Sequence, residues 1–113
     1  MENVLHLTLK RNWFVLMLNG VKKQEYRKPT RWMKVRLENK SYDVIKFVNG
    51  YGNDKPFFVC EYNGFEIAKD AQTLEFDGNL INVDRGDYVI QLGQVVDYGN
   101  LAVVNTPLNT QPP

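Results

Sequence analysis

Gly20-Val21-Lys22-Lys23-Gln24-Glu25-Tyr26-Arg27 is the densest run of chemically useful side chains in this 113-residue chain. In an extended strand Lys23, Glu25 and Arg27 share one face, and Lys22 lies on the other. A turn after Gly20 can bring Lys22 round, so that two cations and a carboxylate converge. Arg27 then suits bidentate contact with a phosphate or carboxylate. Lys22 is an anchoring charge, or a general base if desolvation lowers its pKa. Glu25 can accept from a nucleobase amino group or act as a second acid/base. The alternative is structural. Cations just past a helix C-terminus gain about 0.3–1 kcal/mol, and Glu25 between Lys23 and Arg27 is a compensated surface triplet.

A second group interleaves cations with aromatics: Tyr26, Arg27, Lys28, Arg31, Trp32, Lys34 and Arg36. Cations contact phosphates, and aromatic faces stack on unpaired bases for about 1–3 kcal/mol each. That mixture points to single-stranded RNA or a nucleotide. Helical spacing with Met33 and Leu37 instead places Trp32 in the core. Asn49-Gly50-Tyr51-Gly52-Asn53 is a third group. Its glycines permit close approach to a ligand, with Tyr51 as a cover, although a plain turn explains it as well. It lacks the Gly-Lys-Ser/Thr ending of a P-loop.

Scarcity narrows the chemistry. The chain has one His (His6), one Cys (Cys60) and one Ser (Ser41). No four-ligand zinc site and no intramolecular disulfide can be built from these, and no metal or cofactor is expected. Cys60 lies in an apolar stretch and reads as an inert core thiol. The net charge is +1, but residues 1–37 hold nine Lys or Arg against two Glu. Residues 38–113 hold five against eleven Asp or Glu. Such asymmetry fits a surface that faces a polyanion. No apolar run nears the ~18 residues of a membrane span. The opening residues do not resemble a secretion signal, so a cytoplasmic location without membrane contact is expected.

The elements that position these groups follow from local pattern. Leu5, Leu7 and Leu9 alternate with polar residues as a half-buried strand. Asn12 can cap a helix from Trp13 to Leu18, closed by Asn19-Gly20. Residues 22–27 form a short polar strand or strand-like loop. Thr30 can cap a second helix through Leu37, burying Trp32, Met33 and Leu37. Strands are predicted at Tyr42–Val48 and Phe57–Tyr62, then Phe65–Lys69 after an Asn63-Gly64 hairpin turn. Leu74–Phe76 and Leu80–Val83 flank Asp77-Gly78-Asn79. Tyr88–Val96 is a last long strand, interrupted at Gly93, and a short one follows at Leu101–Val104. The fold class is α+β, mainly β: a small barrel of about six strands with two short helices near the N-terminus. One domain spans residues 1–104, and residues 105–113 form a disordered tail.

These pieces in this order resemble the ASCH domain, a branch of the PUA-like β-barrels. LHLTLKRNWFVLMLNG resembles the family's opening strand and helix. Gly20, Lys22, Glu25 and Arg27 match its G-x-K-x-x-E-x-R signature. YDVIKFVNGYG resembles the strand entering the cleft-side loop, and YVIQLGQVV the closing strand. The resemblance spans residues 5–98. It implies a PUA-like barrel whose cleft, lined by the signature, handles RNA or modified nucleosides. One branch holds acetylcytidine amidohydrolases that use a Lys, a Thr and a Glu; other relatives cleave RNA. Here Lys22 matches the amidohydrolase Lys, but Glu25 stands in place of the Thr. Glu61, Glu66 and Glu75 are candidates for the later Glu, and Thr8 or Thr30 for the missing hydroxyl.

The combined expectation is an RNA- or nucleotide-binding module with a basic cleft. Its ligand-binding residues are Lys22, Lys23, Glu25, Tyr26, Arg27 and Tyr51, with Lys22 and Arg27 on phosphate. The alternative is a small metal-independent hydrolase of RNA or a modified nucleoside, with Lys22 and Glu25 catalytic.

Overall fold

The computed structural model describes residues 2–101. Seven strands and two helices follow one another as β1 (Val4–Thr8), α1 (Arg11–Leu18), β2 (Gln24–Arg27), α2 (Arg31–Leu37), β3 (Val44–Val48), β4 (Phe57–Ile67), β5 (Gln72–Phe76), β6 (Asn79–Val83) and β7 (Tyr88–Gly99). Five strands make one curled sheet in the order β1-β3-β4-β7-β2, and β5 and β6 form a separate ribbon. β1 runs parallel to β3, and the other pairs are antiparallel.

The fold is mainly β with two short helices, as expected, and its curled sheet is a half-barrel, because β1 and β2 are not paired with each other. A side chain spans that seam. The Arg27 guanidinium on β2 donates through Nη2 to the Thr8 carbonyl of β1 at 2.7 Å.

Apolar alternation builds the interior. Leu5 and Leu7 of β1, Ile45 and Phe47 of β3, Phe58 and Cys60 of β4, and Tyr88 and Ile90 of β7 all point inward. Phe14 and Met17 of α1 and Met33 and Leu37 of α2 close the core. Phe14 meets Phe58 edge-on, with ring centroids 5.0 Å apart.

Several local signals act as predicted. Thr30 caps α2 by accepting from the Met33 amide at 3.2 Å. Asp77 and Gly78 both take positive φ, the requirement of a two-residue hairpin turn between β5 and β6. α1 ends in a Schellman turn: the Gly20 amide bonds the Met17 carbonyl, and the Val21 amide bonds that of Leu16. Gly20 supplies the left-handed conformation, at φ 77°.

Four local predictions are corrected. α1 starts at Arg11, so Lys10 is the N-cap and Asn12 is not; the Asn12 amide reaches Asn79 instead. Asn63-Gly64 is no hairpin turn. β4 runs straight through it, with register shifts against β7 between Val59 and Phe65. The bulge lets a long strand bend while keeping its partner, which a hairpin would lose. Trp32 is not buried: it is 53% exposed. Met33 and Leu37 take the inner face of α2, so Trp32, Val35 and Arg36 share the outer one. β7 likewise continues through Gly93. Of the predicted strand at Leu101–Val104, Leu101 lies in a turn; its remaining residues and the 105–113 tail fall outside the described residues.

Candidate functional site

The Schellman turn decides where Lys22 goes. It reverses the chain so that Lys22 enters the protein, and its side chain is 0% exposed. Nζ donates to the Gln24 carbonyl at 2.6 Å and to Glu25 Oε1 at 3.0 Å, with Met17 Sδ at 3.7 Å. The rings of Tyr26, Trp13 and Phe76 surround the ammonium at 5.0, 5.6 and 5.9 Å. Burial pushes the Lys22 pKa below the ordinary lysine value, and Glu25 offsets only part of that.

Glu25 is the hub. Its Oε2 accepts from Arg27 Nε at 2.8 Å and lies 2.7 Å from Nη2 in an ion pair, while its other oxygen holds Lys22. The Glu25 side chain is 6% exposed and that of Arg27 23%. Arg27 is therefore the charged member of the signature that meets solvent. Tyr26 donates its hydroxyl to Gln24 Oε1 at 2.7 Å, and its pKa is raised by burial and by Glu25.

A cleft of about 490 Å³ opens at the seam. Its walls include Glu25, Tyr26 and Arg27 of β2, Thr8 and Lys10 beside β1, and Trp13 of α1. Gly50 and Tyr51 cover it from the loop after β3, and Ile81 from the ribbon. That loop is tied down by Asn49, whose side chain donates to the Leu9 carbonyl at 3.0 Å. Tyr51 itself is 82% exposed. A neighbouring hollow of about 320 Å³ shares Thr8, Arg27, Gly50 and Tyr51, and adds His6 and Trp32.

The structure thus brings Glu25, Tyr26, Arg27 and Tyr51 to one opening. Three expectations are corrected. Lys22 does not stand free for a phosphate, because its donors are engaged inside the protein. Lys23 does not share a face with Glu25 and Arg27, because β2 begins only at Gln24. It is exposed beside a separate hollow of about 590 Å³ that holds Cys60 and Glu61. Lys28 is likewise removed from the basic track, clamped by Asp84 at 2.8 Å and Asp87 at 2.7 Å.

None of the three later acids lines the seam cleft. Glu61 accepts from the Gln94 amide at 2.9 Å, Glu75 accepts from the Gly78 amide at 2.8 Å, and Glu66 borders a hollow beyond Tyr26. Of the candidate hydroxyls, Thr8 lines the cleft and Thr30 is spent on its cap.

Sequence reasoning missed Lys10, Phe76 and Ile81, and read Trp13 only as core. The hydrophobic stripe of α1 marks Trp13 as inward. No local signal places the β5–β6 ribbon over Lys22.

No family model, curated protein or solved structure matches this chain. Among the described residues no group of three or more His, Cys, Asp or Glu is placed to hold a metal ion, and no helix is long and apolar enough to cross a membrane.

Cys60 is buried in β4, and burial raises its thiol from 9.0 to about 12. A raised acid keeps its proton longer in the folded state than in the unfolded one. Stability is then intact below pH 9 and declines between pH 9 and about 12. Urea unfolding across that window should show a shallower decline for Cys60→Val. An unchanged slope would assign the loss to the raised tyrosines, Tyr26, Tyr62 and Tyr88.

Proposed function

We propose that this protein is an RNA- or nucleotide-binding module of the ASCH, PUA-like type, with its ligand in the seam cleft. One observation carries the reading: a partly exposed guanidinium, fixed by Glu25 and the Thr8 carbonyl, lines a cleft walled by Trp13, Tyr26 and Tyr51. Glu25 and the Thr8 carbonyl hold Nε and Nη2, so the guanidinium meets a phosphate through Nη1, and aromatic walls take a base by stacking. Lys10 adds a second cation at the rim. Lys22 acts from behind, holding Glu25 so that Glu25 can hold Arg27.

Tyr51 gives the clean test, since so exposed a side chain contributes little to folding. Tyr51→Ala should weaken uridine monophosphate and decauridylate roughly 5- to 140-fold by calorimetry, while Tyr51→Phe keeps most of the affinity. Unchanged affinity in Tyr51→Ala removes the stacking role.

A second reading is metal-independent hydrolysis of RNA or of an acetylcytidine-type nucleoside. It is favoured by the lowered pKa of Lys22 beside Glu25, with Thr8 lining the cleft that Glu25 walls. It needs the ligand to unseal Lys22. Its signature is turnover in EDTA, read by mass spectrometry and lost in Lys22→Ala.

A further inference from the structure

The outer face of α2 is a groove the seam cleft does not account for. It has a volume of about 700 Å³ and is lined by Arg31, Trp32, Val35, Arg36, Lys40 and Tyr42. Trp32 and Val35 are 53% and 62% exposed. Large apolar side chains standing beside cations on a short helix gain nothing by burial there. The Arg36 guanidinium lies over the indole, its Cζ 3.9 Å from the ring centroid. That contact fixes the orientation of the ring and gives it a positive flank.

The charge around the indole is unspent. Among the described residues no carboxylate pairs with Arg31, Lys34, Arg36 or Lys40, whereas Lys28 on the same segment is held by two. Arg36 Nε is covered and has no acceptor among the described residues. A buried donor left so costs about 1–3 kcal/mol in general, and an anion entering the groove would supply what is missing.

The groove adjoins the hollow beside the seam cleft. Trp32 walls both the groove and the hollow that contains His6, Arg27 and Tyr51. Resting on the polynucleotide reading of the cleft, we infer that α2 carries a second base-stacking subsite on the same track. Trp32 is the platform, and Arg31, Arg36 and Lys40 contact phosphates. The preferred ligand is then a single strand several nucleotides long, rather than a free nucleotide. An acidic peptide would match the cations, but its charges do not alternate with a regular series of aromatic rings for the indole and Tyr51 to stack on. A single strand alternates planar bases with phosphates, as the groove alternates its indole with cations.

The test compares decauridylate with uridine monophosphate on the full chain by fluorescence anisotropy and calorimetry. Trp32→Ala should weaken decauridylate roughly 5- to 140-fold and leave uridine monophosphate unchanged. Trp32→Phe should retain most of the binding, and the melting temperature should hold because the indole is mostly outside the core. Decathymidylate showing the same loss would support the platform equally and make the sugar irrelevant. If Trp32→Ala binds decauridylate normally while Tyr51→Ala does not, the subsite is wrong and the cleft reading survives. If Trp32→Ala weakens decauridylate but Tyr51→Ala leaves it untouched, the shared track is wrong. If neither ligand binds at all, both readings fall. A polyglutamate peptide that binds the groove through Trp32 in place of decauridylate also overturns the inference.

Discussion

Glu25→Gln should lower the unfolding free energy by about 3–5 kcal/mol, measured by urea denaturation at neutral pH. Glutamine keeps the shape of the side chain but removes the only carboxylate that Lys22 and Arg27 pair with among the described residues. Lys22 would then sit sealed, with no counter-charge, among Trp13, Tyr26 and Phe76. A loss of that size is a large share of the ~5–15 kcal/mol that holds a domain together. It is limited by the option Lys22 has of shedding its proton, toward which burial already pushes it.

The sign of the pH dependence follows. In the variant, folded Lys22 holds its proton less tightly than unfolded Lys22, so the unfolded state binds more protons. Stability then rises with pH toward the ordinary lysine value of 10.5. The gap to the native protein should narrow on the alkaline side of neutrality. Lys22→Met should cost much less, because Arg27 still pairs with Glu25 and the thioether suits the aromatic cage. If Glu25→Gln does not fold, the double variant Lys22→Met/Glu25→Gln should recover part of the loss. A loss below about 1 kcal/mol, or a larger loss in Lys22→Met, would refute the hub role of Glu25.

The second large effect is in binding. The log–log slope of decauridylate affinity against monovalent salt should be about −3.5. Each phosphate neutralised on a single strand contributes about −0.7. Five cations face the proposed track: Lys10, Arg27, Arg31, Arg36 and Lys40. A fourfold rise in salt should therefore weaken binding by roughly a hundredfold. The net charge of +1 is too small to produce this by attraction of the whole molecule. The dependence must come from the local patch, so Lys40→Gln should reduce the slope by about 0.7. Trp32→Ala should lower affinity with the slope intact. A flat salt dependence would remove the phosphate contacts from the proposal.

The sequence by itself determined the features whose causes lie within a few residues. Leucine alternation made β1, a threonine hydroxyl capped α2, Asn19-Gly20 closed α1, and Asp77-Gly78 turned β5 into β6. Each rests on a short hydrogen bond, a side-chain period or a positive φ, and so is written locally. The same locality made Glu25, Tyr26, Arg27 and Tyr51 visible as candidates. Tertiary structure decided which of them face the cleft. The turn after α1 sent Lys22 inward and left Lys23 out, a choice strand alternation alone reverses. Arg27 became a clasp across the seam only because β1 and β2 end up as unpaired neighbouring edges. Phe76 joined the cage around Lys22 because the ribbon folds over it, from more than fifty positions away. Asn63-Gly64 became a bulge rather than a turn because β7 pairs with both halves of β4. Trp32 faces out because the core accepted Met33 and Leu37. Burial depends on where distant surfaces meet, and a side chain's type does not carry that information.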